Sequence, residues 1–256
     1  MRILPALSLL CGLAALVLSG LPARAGEVRV EYGPGLASTP VLETCRQDRA
    51  FEILAENIAT VFDLPRDLAL RVADCGEPNA YYEPENATIL VCGEFLPEFA
   101  ALAAELEPDP QAALDLFYDN LLFTVYHELG HALVDILNLP ITGREEDVAD
   151  QAAVWLMLES LDEGAGLSAA FNAASVFSSP PAPGADQAFW DTHGLDIQRF
   201  HNILCWVYGF DPDQTAAALD GDLDKLLPPE RRDFCPDEYA RMHNSFLTLL
   251  GKHLRQ

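Results

Sequence analysis

Between Asp109 and Pro140 the chain reads as one long helix, and that segment constrains the rest more than any other. Asp109 offers a capping side chain, and Pro110 suits the first helical position, where its missing N–H costs nothing. The apolar stripe then runs through Leu114, Phe117, Leu121, Val125, Ala132, Leu133 and Ile136 before Asn138-Leu139-Pro140 ends it. A second helix is expected from about Glu145 to Leu161, and four or so shorter ones in the remainder.

Upstream of this helix the pattern changes. Apolar residues from Val41 to Phe62 recur at mostly helical spacing, and Pro65 marks the end. Leu68-Ala69-Leu70-Arg71-Val72 and Thr88-Ile89-Leu90-Val91-Cys92 are short, rich in branched residues and bounded by turn signals, so they read as strands. Phe95 to Leu106 reads as a further helix. Strands first and helices afterwards give an α+β chain: a small N-terminal sheet, the long helix, and a mostly helical C-terminal half. With no internal repeat and no long linker, residues 26–256 are expected to form a single domain. The Pro-rich stretch 178–184 reads as a surface loop.

Ahead of that domain, Arg2 is followed by a mostly apolar run from Ile3 to Leu21 and by Ala23-Arg24-Ala25, the pattern of a signal peptide cleaved after Ala25. The expected destination is the periplasm or the medium, with no membrane segment left after cleavage. Loss of Arg2 and Arg24 takes the formal charge from −25 to −27. Such a surface repels a phosphate backbone, so nucleic acid is excluded as a partner. Five cysteines follow the leader, which in an exported chain suggests disulfides. Cys75 and Cys92 flank a turn-rich stretch and are expected to staple the arms of a hairpin. Cys205 then pairs with Cys235, and Cys45 is left free.

The chemistry sits near the C-terminal end of the long helix, in Tyr126-His127-Glu128-Leu129-Gly130-His131. Residues four apart share a helix face, so His127 and His131 can present two imidazole nitrogens to one ion while Glu128 projects beside them. A catalytic zinc takes three protein ligands and keeps one position open for water, so a third ligand is needed. The next helix begins Glu145-Glu146-Asp147-Val148-Ala149-Asp150. Glu146 and Asp150 lie on one face of it: Glu146 can ligate, while Asp150 accepts a hydrogen bond from a ligating histidine. Glu145 and then Asp150 are the alternative ligands, and Asp135 is expected in a supporting or capping role.

His127-Glu128-Leu129-Gly130-His131-Ala132-Leu133-Val134-Asp135, followed by Glu146-x-x-x-Asp150, resembles the thermolysin-like zinc peptidases with a glutamate third ligand, the gluzincins. The fourteen residues between His131 and Glu146 are fewer than those enzymes usually have. The metzincin pattern fails, since it places glycine and histidine where this chain has Val134 and Leu137. Cys75-Gly76-Glu77-Pro78-Asn79-Ala80-Tyr81-Tyr82, Pro140 to Asp147 and Gln198 to Trp206 look more closely like a bacterial family of metallopeptidases described only as a domain of unknown function. That resemblance covers most of the mature chain, implies a zincin-like fold, and brings no substrate with it.

Outside the motif, His193 in Trp190-Asp191-Thr192-His193-Gly194 resembles in type the distant histidine with which thermolysin-like enzymes stabilise an oxyanion. His201 reads as structural, and His243 and His253 as surface residues. Thr88–Cys92 is a candidate for the edge strand that pairs with an extended substrate, with Asn79, Tyr81 and Tyr82 in the turn feeding it. The expected protein is an exported zinc metallopeptidase acting on proteins or peptides. His127, His131 and Glu146 hold Zn²⁺, Glu128 is the general base and His193 assists. The alternative is a zinc-bearing exported protein without catalysis, acting as a partner-binding module.

Overall fold

The computed structural model describes residues 25–178 and 189–255. Residues 1–24, which hold nearly all of the expected signal peptide, and most of the Pro-rich stretch lie outside them. Chain order is β1 (Val28–Tyr32), α1 (Pro40–Gln47), α2 (Ala50–Val61), β2 (Leu68–Ala73), β3 (Ala80–Glu83), β4 (Thr88–Cys92), α3 (Phe95–Leu106), α4 (Pro110–Ile136) and α5 (Glu145–Ser160). It continues with α6 (Glu163–Ser175), α7 (Asp196–Phe210), α8 (Pro212–Ala218), α9 (Leu223–Leu226), α10 (Pro229–Arg232) and α11 (Cys235–Leu250). The α+β class holds, and among the described residues no helix is long and apolar enough to cross a membrane.

The sheet has four strands in the order β1-β2-β4-β3. β1, β2 and β4 run parallel, with Leu70 opposite Val30 and Ile89, while β3 returns antiparallel to β4. β4 is therefore an interior strand, and the edge belongs to β3, contrary to expectation. Thr88–Cys92 reads as a nearly continuous apolar run because both its faces are covered. Ala80–Glu83 escapes a pattern search because it is four residues long and sits among turn residues. The hairpin turns through Ala87, at φ 50°. A left-handed residue, Arg49 at φ 56°, also breaks the expected helix of residues 41–62 into α1 and α2, with neither glycine nor proline to announce it.

Both expected disulfides form. Cys75–Cys92 ties the approach to β3 onto the end of β4, Cys205–Cys235 ties α7 to the start of α11, and Cys45 is free and buried.

Helix α4 holds the molecule together. Asp109 caps it by accepting from the N–H groups of Gln111 and Ala112, both at 3.0 Å. At about 1.5 Å per residue it is roughly 40 Å long, and α3, α5, α6 and the sheet pack along it. From Val125 to Gly130 six consecutive residues are buried, although three of them are histidine, glutamate and glycine. An amphipathic surface helix does not bury a full circumference, so the motif lies where α4 is enclosed on several sides.

Candidate metal centre

Helix α5 meets α4 at Gly130. A methyl group there would come 2.8 Å from the Cα of Ala149. The glycine inside the histidine motif thus lets two backbones touch, and Glu146, one turn before Ala149, reaches the motif's histidines. His127 Nε2 and His131 Nε2 stand 3.2 and 3.3 Å from the same oxygen, Glu146 Oε2. A third imidazole arrives from the loop before α7: His193 Nε2 is 2.8 Å from that oxygen. Its ring stacks on that of His127, with centroids 5.7 Å apart. His127, Glu146 and His193 each present a ligand atom within 4.8 Å of the others.

Behind the rings stands a set of carboxylates. His127 Nδ1 is 2.8 Å from Asp150 Oδ1, His131 Nδ1 is 2.8 Å from Glu145 Oε1, and His193 Nδ1 is 3.3 Å from Asp191 Oδ1. Asp150 is buried and is itself gripped by Arg199, whose Nε and Nη2 donate to its two oxygens at 2.8 and 2.7 Å. The Arg199 guanidinium lies over the Phe177 ring, 4.0 Å from its centroid. Arg199 was not anticipated as a site residue. Its sole sequence signal is a cation in the stretch Gln198 to Trp206 of an acidic chain, which says nothing about where the side chain turns.

Glu128, the remaining group of the motif, is buried and accepts no hydrogen bond from any described residue. Burial raises its carboxyl above the usual range, against the pull of His127 and His131. Glu146 is displaced the other way, far below the carboxylate range, by hydrogen bonds from His127, His131 and His193. For His127 burial opposes the charged form, yet the hydrogen bonds to Asp150 and Glu146 outweigh it and push its pKa up to about 9. A centre that draws protons this strongly is short of positive charge. Five carboxylates (Glu128, Glu145, Glu146, Asp150 and Asp191) surround the rings, and Arg199 is the guanidinium set against them.

The donor set fits a divalent zinc ion. Two imidazoles and a carboxylate are a known catalytic zinc set, and ligand atoms about 2.0–2.1 Å from one tetrahedral ion stand about 3.3 Å apart, close to the separations of His127 and His131 from Glu146.

The centre lies in the wall of a cleft of about 880 Å³. Along α4 the lining changes from Phe123 through His127, Glu128 and His131 to Asp135, and β3 forms part of the rim with Ala80, Tyr81 and Tyr82. Asp135 does not turn to the histidines: it takes the Tyr82 hydroxyl at 2.6 Å and Arg66 at 2.5 Å, joining the edge strand to α4. His201 packs edge-on against Phe200. His243, expected at the surface, is half-buried and not part of the cleft lining, with Nδ1 3.2 Å from Trp155 Nε1 and 2.9 Å from Glu159 Oε1.

No curated protein and no solved structure matches the chain. One family model does match, over residues 37–250, and its description is "Putative metallopeptidase". That span takes in β2–β4, the histidine-bearing α4, the carboxylates of α5 and the His193–Arg199 segment. It covers well over half of the sequence, and the chain accordingly belongs to this metallopeptidase family of unknown function.

Proposed function

We propose that this protein is an exported zinc-dependent peptidase, with residues 26–256 as one zincin-like domain behind a signal peptide cleaved after Ala25. The observation that carries the reading is Glu128, a buried carboxylate with no hydrogen-bond donor, set beside converged imidazoles in an open cleft. Such a group is poised to take a proton, and its raised pKa suits a base that must also give the proton back.

His127, His131 and Glu146 are the residues assigned to hold the metal. A bound zinc supplies Lewis acidity, which makes water a competent nucleophile near neutral pH. Asp150 and Glu145 fix the rings of His127 and His131 by accepting hydrogen bonds from their Nδ1–H groups, which leaves each Nε2 lone pair directed inward. Glu128 removes a proton from the attacking water and delivers it to the leaving amide nitrogen. His193, the most exposed of the three rings, is the side chain assigned to donate to the oxyanion that develops.

Substrate is proposed to lie along β3. This edge strand borders the cleft and, among the described residues, pairs with one strand, β4, so its outer backbone groups are available to an extended peptide. Export is supported by the leader pattern and by two disulfides, which persist in oxidising compartments.

The test is digestion of an unbiased peptide pool by the zinc-loaded mature chain, read by mass spectrometry. Glu128→Gln is expected to lower cleavage at least about a hundredfold while one zinc per chain is retained. Cleavage at the parent rate by Glu128→Gln would overturn the mechanism. Zinc at one per chain without any cleavage would favour the non-catalytic, partner-binding alternative.

A further inference from the structure

His127, His131 and His193 repeat one arrangement. In each, Nδ1 faces a carboxylate of its own, Asp150, Glu145 or Asp191, and Nε2 faces Glu146 Oε2. A neutral imidazole carries one proton, and a carboxylate at Nδ1 holds it there, so Nε2 is left with a lone pair. Three lone pairs then point at a carboxylate oxygen, which offers lone pairs of its own. Four acceptors facing one another repel unless a cation lies between them: in the metal-free chain, protons on the rings that hydrogen-bond to Glu146, and in the loaded chain, the metal ion. The carboxylate–imidazole unit is also how metal-binding histidines are ordinarily oriented.

The oxyanion role alone does not account for where His193 points. A donor to substrate would aim an N–H into the open cleft, whereas His193 Nε2 faces Glu146 Oε2, and the ring offers a ligand atom within 4.8 Å of those of His127 and Glu146. Resting on the zinc reading above, we infer that His193, oriented by Asp191, is a fourth protein ligand of the metal and closes the centre in the resting protein. The ring comes from a loop and is 43% exposed, against 7% for His127 and 15% for His131. It is thus the arm that entering substrate displaces. A displaced ring stays beside the reacting carbonyl, and a proton taken up from solvent at its freed Nε2, with Asp191 keeping the one on Nδ1, makes it the donor the oxyanion role requires, so the two roles are successive uses of one side chain.

The mature chain and its His193→Ala and His127→Ala variants are loaded with Co²⁺ for visible absorption and with Zn²⁺ for competition against a chromophoric chelator. His193→Ala is expected to change the Co²⁺ ligand-field spectrum as water replaces the ring. Its zinc affinity should fall at least about tenfold, as loss of even an outer partner can cost that much, and free imidazole should restore the parent spectrum. An unchanged spectrum and a zinc affinity within twofold of the parent would overturn the fourth-ligand role while leaving the zinc site standing. If the parent chain binds no metal, or His127→Ala binds it as tightly as the parent, the zinc reading itself fails and this inference with it.

Discussion

The proposed metal centre has two poles built from the same unit. At one, His127 rests on Asp150, which is clamped by two guanidinium nitrogens of Arg199, Nε and Nη2, beneath Phe177. Ring, carboxylate and guanidinium side chains are 7%, 7% and 14% exposed. At the other, His193 rests on Asp191, whose Oδ1 also accepts from the His193 backbone N–H at 2.9 Å, with ring and carboxylate 43% and 51% exposed. Surroundings alone separate them. A buried charge pair cannot exchange its partner for water, so the helix-borne pole is fixed, whereas a solvated pair can part at little cost. In the proposed centre one imidazole is held as scaffold and the other is free to leave.

The largest expected effect comes from dismantling the buried pole. Asp150→Ala strands the Arg199 guanidinium in the interior and should destabilise the metal-free protein by about 3–5 kcal/mol, read by urea unfolding. Zinc affinity should fall about 10- to 100-fold as His127 loses its orientation. A loss below about 1 kcal/mol would mean that this pole is no more rigid than the exposed one.

pH gives an intermediate effect. The His127 pKa is raised to about 9 in the folded, metal-free protein, so the stabilisation it contributes is fully present below its unfolded pKa of about 6.5 and is lost as pH rises through about 9. The unfolding temperature of the metal-free chain should drop over that window by several degrees, and saturating zinc should abolish the decline. A flat profile without metal would break the contrast from the His127 side.

The smallest effect is expected at the exposed pole. Asp191→Asn should leave the unfolding midpoint unchanged and lower zinc affinity less than about tenfold, measured in the same competition assay. A loss equal to that of Asp150→Ala would erase the difference between the poles.

Much of the fold was legible because it rests on local rules. The ends of α4 follow from a cap and two prolines, and β2 and β4 from branched residues between turns. The disulfide between Cys75 and Cys92 follows from the turns they flank. β3 was not legible, because four residues are too few to show a period, and strand order is a matter of pairing between distant segments. Nor was the break at Arg49, where a non-glycine residue takes a left-handed conformation.

The sequence by itself determined that His127 and His131 share a helix face, with Glu128 beside them and Glu146 and Asp150 one turn apart on the next helix. Fixed helical spacing, a property of each helix alone, requires this. Tertiary structure alone decided that Gly130 and Ala149 touch, bringing Glu146 to the histidines, and that the loop before α7 carries His193 to the same oxygen while Arg199 grips Asp150 from behind. Those contacts join residues 15 to 49 positions apart. They depend on how closely whole helices pack, which no local pattern of residues encodes.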